Sequence, residues 1–571
     1  MAEDRGWGVR LKPVAIVAFL WSCFQLYVIF AGFMDPMILY PVHTVFGIAV
    51  GILAKPLSLK NRILRGLDYV LVFLIGGVGL YMVANFERIS TRTPFVQALE
   101  PLDYAVGVIL VLLLLEVCRR TMVFYFILCG TFLERSGGGA LFTDLAILVT
   151  GKFRGGAAKM SVVASALYGT ISGSAVANVS VVGMFTIPLM KKTGFRPFFA
   201  GAIEAVASTG GQIMPPIMGA AAFILAQILG ISYWKVAAAA AIPALLYYIA
   251  VYAAIDFESM QNGLVGLTKN ELPDVRSGIL KRIHLIFPLL LLIYYIVSFT
   301  ATPVTAAARA IIAVIVVSFL RRETRMGPRK IFDAMEKGAR EAVTVAIPCA
   351  MAGVLIGVII YSGLALKLTD ILIALSGGKL LLALILVMVA VIILGMGMPT
   401  SAAYLIAAIL LAPLLIKLGV MPLAAHIFIF YFAVISMITP PVALASYVAA
   451  GMAESDLWKT GLQAFKIAMP SFLVPFVIVY NPALILEGSL WDIIWVTFTT
   501  MIGVIALAAA TIGFFYRKAR LWERAVLIVG GLLLIVPETI TDFIGFAMMG
   551  VVLAVQLRRP SDLVKRTLPV S

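Results

Sequence analysis

Two apolar stretches of this chain repeat each other in register. Residues 185–216 read FTIPLMKKTGFRPFFAGAIEAVASTGGQIMPP, and residues 410–441 read LLAPLLIKLGVMPLAAHIFIFYFAVISMITPP. Six pairs of identical proline, glycine or lysine residues lie 225 positions apart: Pro188 and Pro413, Lys192 and Lys417, Gly194 and Gly419, Pro197 and Pro422, Pro215 and Pro440, and Pro216 and Pro441. With small slips the match extends to Trp234 with Trp458 and to Ser174 with Ser401. Self-similarity at a fixed separation indicates a duplicated structural unit.

Each copy contains a turn inside apolar sequence. The turn reads GTISGSA at 169–175 in the first copy and GMGMPTSA at 395–402 in the second. The apolar arms beside each turn run about 13–16 residues, which as helices reach roughly 20–24 Å and do not cross the ~30 Å hydrocarbon core of a bilayer. We therefore expect two re-entrant helical hairpins.

Each copy also contains a helix that is broken near its middle. Ser208–Gly211 precede Pro215 and Pro216 in the first copy, and Ser436–Thr439 precede Pro440 and Pro441 in the second. Paired prolines remove two amide donors and disfavour helix at the residue before them, so each helix must unwind there.

Unwound backbone at membrane depth is tolerated only where it is buried in protein or lines a wet cavity. Freed carbonyl oxygens suit a dehydrated cation, and the N-termini of half-helices suit an anion, so this pattern favours an ion-coupled secondary transporter. Kinked packing helices with small-residue contacts are the alternative. That alternative accounts for the glycines but not for the hydroxyl side chains at both turns.

Composition places the whole chain in lipid. Apolar residues make up 62% of the sequence and charged residues only 13%, about half the share expected of a soluble protein. We predict a multi-pass, all-α protein of a bacterial inner membrane. The net charge of +16 lies in short loops between apolar runs, which argues against nucleic-acid binding. A basic start with Arg5, Arg10 and Lys12 predicts a cytoplasmic N-terminus.

Catalytic and metal-binding motifs are missing from the sequence. It contains no HExxH, GxSxG or GxxxxGK[ST] pattern, and its four cysteines and three histidines share no metal-ligand spacing. We therefore expect no enzyme, no ATP-driven pump, no cofactor and no transition metal, and a membrane enzyme is the weakest alternative.

Three polar residues fall inside apolar sequence near the first break. Glu204 lies one helical turn before that break, and Ile429 occupies the matching position of the second copy. An intramembrane carboxylate can carry a coupling proton, hold a cation, anchor the break through a backbone amide, or be merely structural. Asn178 and Gln212 flank the same region, and each either lines a site or forms a helix-to-helix hydrogen bond.

Longer motifs resemble a known family. The segments GTISGSAVANVS, GFRPFFAGAIEAVASTGGQIMPPIMGAAAF, LGMGMPTSAAYLIAAILLAPLL and ISMITPPVALASYVAAGMAESDLWKTGLQAFKIAMPSFLVPF closely resemble the large membrane subunit of TRAP (tripartite ATP-independent periplasmic) transporters, and in particular their TAXI branch. The resemblance covers about residues 125–485, and the first four apolar spans resemble the small membrane subunit fused in front.

The resemblance implies an elevator-type transporter with two repeats, each a re-entrant helical hairpin plus a broken helix. Residues 1–120 would form a four-helix scaffold like the small subunit, and 121–490 the large-subunit region, with transport-domain repeats at 150–255 and 378–486 and scaffold spans at 283–364. Residues 491–571 would add C-terminal membrane helices. Carried onto matching positions, the ion and substrate site would include Ser172, Gly173, Ser174, Asn178, Gly210, Gly211, Thr400, Ser401 and Thr439, with Na⁺ at the hairpin tips.

The same resemblance implies a periplasmic substrate-binding protein as partner, a small mono- or dicarboxylate as substrate, and a monomeric permease in the bilayer. Na⁺ is the favoured coupling ion, and Glu204 leaves H⁺ open. A stand-alone carrier or a channel that needs no binding protein is the alternative. The sequence departs from the branch at 118–135, where the connection between the two subunit-like parts is unusually short, which leaves the number of spans open.

Overall fold

The computed structural model describes residues 62–91, 100–119, 122–267, 275–298, 303–335, 337–338, 357–359, 362–534 and 539–558, with isolated positions before residue 54. Every regular element in these ranges is helical, apart from one isolated bridge between Phe514 and Lys518. Seven of the described helices are long and apolar enough to span a membrane. The prediction of an all-α, polytopic membrane protein is confirmed. Most of residues 1–61, which hold the first two of the four predicted N-terminal spans, and most of residues 339–361 in the predicted scaffold region lie outside the described residues.

The chain divides into two compact units, residues 1–121 and 122–571. In the first unit, α1 (Arg62–Ala84), α2 (Phe86–Thr91) and α3 (Pro101–Arg119) are described, and α1 packs against α3. Arg88 donates two 2.8 Å hydrogen bonds to the Asp103 carboxylate, which also accepts one from the Tyr81 hydroxyl at 2.8 Å. The bidentate pair joins α2 to the start of α3, and the Tyr81 bond joins the end of α1 to the same carboxylate.

The second unit holds both copies of the repeat. Its first half consists of α4 (Met122–Arg135), α5 (Gly138–Thr150), α6 (Gly156–Ser172), α7 (Ala175–Lys192), α8 (Pro197–Gly210), α9 (Ala220–Leu229) and α10 (Tyr233–Gln261). The connecting region contains α11 (Val275–Arg282), a 3₁₀ turn at Ile283–Leu285, α12 (Ile286–Val297), α13 (Pro303–Ser318) and a helical segment at 328–335.

The second copy and the C-terminal helices complete this unit. The copy consists of α14 (Leu364–Ser376), α15 (Leu380–Gly395), α16 (Thr400–Lys417), α17 (Pro422–Ile435), α18 (Leu444–Ala453), α19 (Leu457–Ala468) and α20 (Val474–Tyr480), with 3₁₀ turns at Ser436–Ile438, Met469–Leu473 and Pro482–Ile485. The C-terminal helices are α21 (Leu490–Ile512), α22 (Leu521–Leu533) and α23 (Thr539–Leu557), of which α21 packs along α10.

Helix bounds repeat at the separations found in the sequence. α7 and α16 begin and end 225 positions apart, and so do α8 and α17. α9 and α18 are 224 positions apart, and α5 and α14 are 226 apart. The last pair extends the duplication upstream of the segment in which the sequence revealed it, since residues 138–150 and 364–376 share few identical side chains.

The two broken helices form the centre of the second unit. Every residue of α8 from Phe199 to Gly210 and of α17 from Leu423 to Ile435 is buried. Helices buried on all sides are enclosed by other helices rather than facing lipid. The copies also interlock, because α18 packs against α7 and α8 while α9 packs against α16 and α17.

Candidate functional site

The first hairpin, α6 and α7, turns at Gly173 and Ser174. Gly173 adopts a positive φ of 61°, and Ser174 caps α7 by accepting a 3.4 Å hydrogen bond from the Ala177 amide. The turn lies against the first break, residues 211–219, because a Cβ on Gly173 would lie 2.9 Å from the Met218 oxygen and 3.3 Å from the Gly219 Cα. The hairpin tip and the break therefore form one local structure.

The backbone of the first break is largely satisfied by its own turns. The Gln212 amide donates to the Thr209 oxygen at 3.2 Å, and the Gly219 amide closes the loop onto the Gln212 oxygen at 2.8 Å. The Tyr233 hydroxyl lies within hydrogen-bond distance of two oxygens, those of Pro216 and Ile217. The helix unwinds where the proline pair predicts. The Tyr233 hydroxyl holds in place the carbonyl of the second proline, Pro216, and that of the next residue, Ile217.

Asn178 joins the hairpin to the broken helix. Its side-chain amide is fully buried and donates to the Ser165 oxygen at 2.9 Å and to the Ser208 oxygen at 3.4 Å. The two helices approach so closely beside it that a Cβ on Gly169 would overlap the Cα of Gly211. Asn178 thus makes the helix-to-helix hydrogen bond that its sequence context allowed, while its Oδ1 has no partner.

The second hairpin, α15 and α16, meets the second break, residues 436–443, in the same way. A Cβ on Gly397 at this tip would lie 3.7 Å from Val442, and Gly395 faces the Ser436 side chain. The Thr439 hydroxyl donates to the Ile435 oxygen at 2.9 Å, and the Tyr447 hydroxyl hydrogen-bonds the Pro441 oxygen.

The register at the hairpin tips corrects the sequence alignment. Because α7 and α16 start 225 positions apart, the residue opposite Ser174 is Pro399 and not Ser401. The two tips therefore differ in chemistry, since a serine side chain caps α7 whereas α16 begins with no side-chain cap.

Buried polar atoms without a partner collect around these tips and breaks. In the part of the chain that the structure describes, they include Ser172 Oγ, Asn178 Oδ1, Gln212 Oε1, Thr400 Oγ1, Ser401 Oγ and Ser446 Oγ. An unsatisfied buried polar atom costs about 1–3 kcal/mol, and a bound ion or polar ligand removes that cost. All of these residues except Ser446 are predicted site residues, and Ser446 was missed because it follows the second break within ordinary apolar helix.

Other predicted site residues have different roles. Gly210 faces the ring of Tyr247 instead of the first hairpin, and the hydroxyls of Tyr247 and Tyr248 donate to the oxygens of Val206 and Ala207 at 2.7 and 3.0 Å. Gly210 therefore allows α10 to pack against α8.

Glu204 is fully buried among hydroxyl groups from three helices. Its oxygens accept hydrogen bonds from Ser161 at 2.7 Å, Ser165 at 2.8 Å and Ser208 at 2.9 Å, and a further bond joins it to Thr186. The carboxyl does not anchor the break through a backbone amide, which was one of the roles that the sequence allowed. It instead ties both arms of the first hairpin to α8.

A second buried polar pair lies between α16 and α17. The Tyr404 hydroxyl and His426 Nδ1 are 2.8 Å apart, and both side chains are buried. Neither residue was singled out from the sequence, since a lone histidine in apolar sequence has no local signal.

Comparison with known proteins identifies family models and relatives that match this chain. The family model described as "Tripartite ATP-independent periplasmic transporter, DctM component" matches residues 69–493, and one described as "Domain of unknown function (DUF3394)" matches residues 493–559. The chain is 24% identical to the isethionate TRAP transporter permease protein DctMQ of Oleidesulfovibrio alaskensis, over 77% of this chain and 69% of that protein.

Two further relatives cover the large-subunit region. The C4-dicarboxylate TRAP transporter large permease protein DctM of Pseudomonas aeruginosa is 26% identical, over 64% of this chain and 85% of its own length. The 2,3-diketo-L-gulonate TRAP transporter large permease protein YiaN of Escherichia coli is likewise 26% identical, with the same two shares covered. These relatives are named as permeases, which confirms the interpretation as a transporter rather than an enzyme.

Proposed function

This chain belongs to the family of DctM components of tripartite ATP-independent periplasmic transporters, and from that membership we propose that it imports a small organic acid across the bacterial inner membrane with a periplasmic binding protein as partner. Three named relatives carry isethionate, a C4-dicarboxylate or 2,3-diketo-L-gulonate, all small organic anions. The TAXI branch, a monomeric permease and a cytoplasmic N-terminus belong to the same proposal.

The observation that carries the proposal is the set of unpartnered polar atoms at the two tips and breaks. Hydroxyl and amide oxygens such as those of Ser172, Asn178 and Thr400 suit an alkali cation, and Na⁺ is therefore the favoured coupling ion at this position. Each copy contributes some of these atoms, so the proposed site is shared between the copies.

Helix N-termini supply the complementary feature for an anion. α9, α16 and α18 each begin beside a tip or break, and none of them has a side-chain cap hydrogen bond. α10 and α19, which follow α9 and α18, are capped by Ser232 and Asp456, whereas α17, which follows α16, has no side-chain cap. Uncapped amides at helix starts bind carboxylates well, which supports a carboxylate substrate.

We further propose an elevator mechanism. The two hairpins, which we take to be re-entrant, and the two broken helices would move as one body that carries the site across the bilayer. Their interlocked packing supports this assignment, since α18 and α9 each cross into the other copy. The α11–α13 region and the small-subunit-like residues 1–120 would form the scaffold.

Uptake into proteoliposomes tests the function. The purified protein is reconstituted and supplied with labelled organic acids, with or without its binding protein, under an imposed Na⁺ or H⁺ gradient. We expect concentrative uptake that needs both the binding protein and a cation gradient. Uptake that ignores the binding protein would instead establish the alternative, a stand-alone carrier, or a channel if no gradient concentrates the substrate.

A further inference from the structure

The Glu204 pocket contains a buried acid whose nearest polar neighbours are hydroxyl groups. Ser161 and Ser165 come from α6, Thr186 from α7 and Ser208 from α8 itself, and two of these hydroxyls meet each carboxyl oxygen. The pocket differs from the tip because each of its four hydroxyls already has a partner, and Asn178 joins the two by donating to the backbone oxygens of Ser165 and Ser208.

The position of Thr186 allows the Glu204 carboxyl to be accommodated either charged or neutral. Its hydroxyl lies 3.1 Å from the Val182 oxygen and also hydrogen-bonds Glu204 Oε2. A hydroxyl has one proton to donate and can also accept. If Thr186 donates to a charged carboxylate, the Val182 oxygen keeps its helical partner. If Thr186 donates to Val182, the proton in the other bond must come from a neutral carboxyl group.

In the described part of the chain, no cationic side chain compensates the charge of Glu204. Among the described residues, no Lys, Arg or His hydrogen-bonds or pairs with its carboxyl group, and the titratable group that faces it from α10 is the Tyr248 phenol. The nearby charges are engaged elsewhere. Lys159 on α6 pairs with Asp256 on α10 at 2.5 Å, and Lys191 on α7 pairs with Glu454 after α18 at 3.4 Å.

A buried charge that moves within the membrane must be compensated by a bound cation or proton. The hydroxyl oxygens of Ser161, Ser165 and Ser208 lie at direct hydrogen-bond distance from the carboxyl oxygens, 2.7–2.9 Å. A metal ion between them would have to push these groups apart, whereas a proton fits without rearrangement.

We propose that the Glu204 carboxyl is a proton-binding site of the transport cycle, distinct from the Na⁺ position at the hairpin tips. The carboxylate binds one proton when the site faces outward and releases it when the site faces inward, so that H⁺ accompanies the substrate. This inference rests on the proposed function, which it extends by a second coupling ion. Thr186 acts as a positioning residue that switches its single proton between Glu204 and Val182.

Infrared difference spectroscopy tests proton binding without substrate or binding protein. The full chain in lipid vesicles is titrated between acidic and alkaline buffer, and the carboxylic-acid carbonyl band is compared between the native protein and the isosteric Glu204→Gln variant. We expect a reversible band, sensitive to deuterium exchange, that the variant lacks. A native spectrum in which no such band differs from that of the variant overturns the proposal, whether or not the protein transports.

Transport then tests coupling. In proteoliposomes with the binding protein and a fixed Na⁺ gradient, native uptake should rise when a proton gradient is added, and uptake by Glu204→Gln should show no such rise. Thr186→Val should lose the response too, whereas Thr186→Ser, which keeps the hydroxyl, should restore it. Thr150→Val is the control, because its buried hydroxyl bonds only its own helix, at 2.7 Å to Ala146. A proton response retained in Glu204→Gln would overturn the proposal.

Discussion

In the first copy of the repeat Gly169 faces Gly211, whereas at the matching positions of the second copy Gly395 faces Ser436. In the first copy the hairpin and the broken helix therefore meet at two glycines, backbone against backbone. In the second copy a serine side chain lies at the corresponding contact. Around this contact the copies keep helix bounds and proline pairs. In each, a tyrosine hydroxyl bonds the carbonyl of the second proline, although Tyr233 and Tyr447 are not at matching positions.

The side chains around the two broken helices differ far more. The polar pocket of the first copy has an apolar residue at every matching position of the second: Val387 for Ser161, Val391 for Ser165, Leu411 for Thr186, Ile429 for Glu204 and Ala433 for Ser208. All five polar side chains are missing together, as expected if they act as one unit.

This contrast separates two kinds of requirement. Features that shape backbone are present twice, because unwinding two helices at membrane depth requires the same turns and prolines in each. The buried carboxyl of Glu204 and its hydroxyl partners are present once. The tips and breaks, which are present in both copies, therefore suit a shared binding site for substrate and Na⁺. The Glu204 pocket, which is present in the first copy alone, suits a single proton.

The largest effect is expected when the first copy's acid is placed in the second copy. Ile429 is fully buried, and Ile429→Glu would place a carboxyl among apolar neighbours at a cost of several kcal/mol. We expect little folded protein by size-exclusion chromatography, whereas Ile429→Leu should purify normally. Normal yield and melting of Ile429→Glu would mean that the second copy has polar partners for an acid after all.

The glycine contact gives the next largest effect. Gly211→Ser introduces a Cβ that overlaps the Gly169 Cα, and overpacking of this kind costs about 1–3 kcal/mol. The reverse change, Ser436→Gly, removes a side chain and should be milder. We expect a clear fall in melting temperature and in uptake for Gly211→Ser only. Equal effects in both variants would show that the two copies pack alike.

Hydroxyls at the hairpin tips should affect binding rather than folding. Thr400→Ala removes an unpartnered hydroxyl, and we expect about a five-fold weaker apparent affinity for substrate or Na⁺, equivalent to about 1 kcal/mol. Ser174→Ala should have a smaller effect, because Ser174 is exposed and caps α7. Thr511→Ala, whose hydroxyl bonds the Leu507 oxygen in α21, is the control. Unchanged affinity in both tip variants would remove the tips from the site.

The smallest expected effect concerns the tyrosines that hold the breaks. Tyr233→Phe deletes a buried hydroxyl that bonds the carbonyls of Pro216 and Ile217, at a cost of about 1 kcal/mol. Tyr447→Phe deletes the corresponding but more exposed bond in the second copy and should cost less. Melting temperatures of the two variants would measure the difference, and a larger loss in Tyr447→Phe would reverse the expected order.

Local signals explain what the sequence predicted. Glycine and proline act on their own backbone, so the turn at Gly173 and the breaks before Pro215 and Pro440 could be placed from the sequence. The partners of Glu204 could not, because they lie 4 to 43 positions away on three helices. The only available signal was Ser161 and Ser165, one helical turn apart in apolar sequence.

The upstream extension of the repeat shows the same limit. α5 and α14 begin and end 226 positions apart, and each follows a glycine with positive φ, Gly137 and Gly363. Within the two helices only three pairs are identical: Thr143 and Thr369, Asp144 and Asp370, and Ile147 and Ile373. Isolated glycines in apolar sequence are too common to reveal a repeat by themselves. The matching helix bounds show that these sparse identities belong to one repeat.

The most direct test of the account is a cryo-EM map of the protein in lipid nanodiscs with Na⁺ and a transported acid. The account predicts ligand density that contacts both copies, near Ser172 and Gln212 on one side and near Thr400 and Ser446 on the other. Ligand density that lies away from both breaks, or within one copy alone, would contradict the shared site.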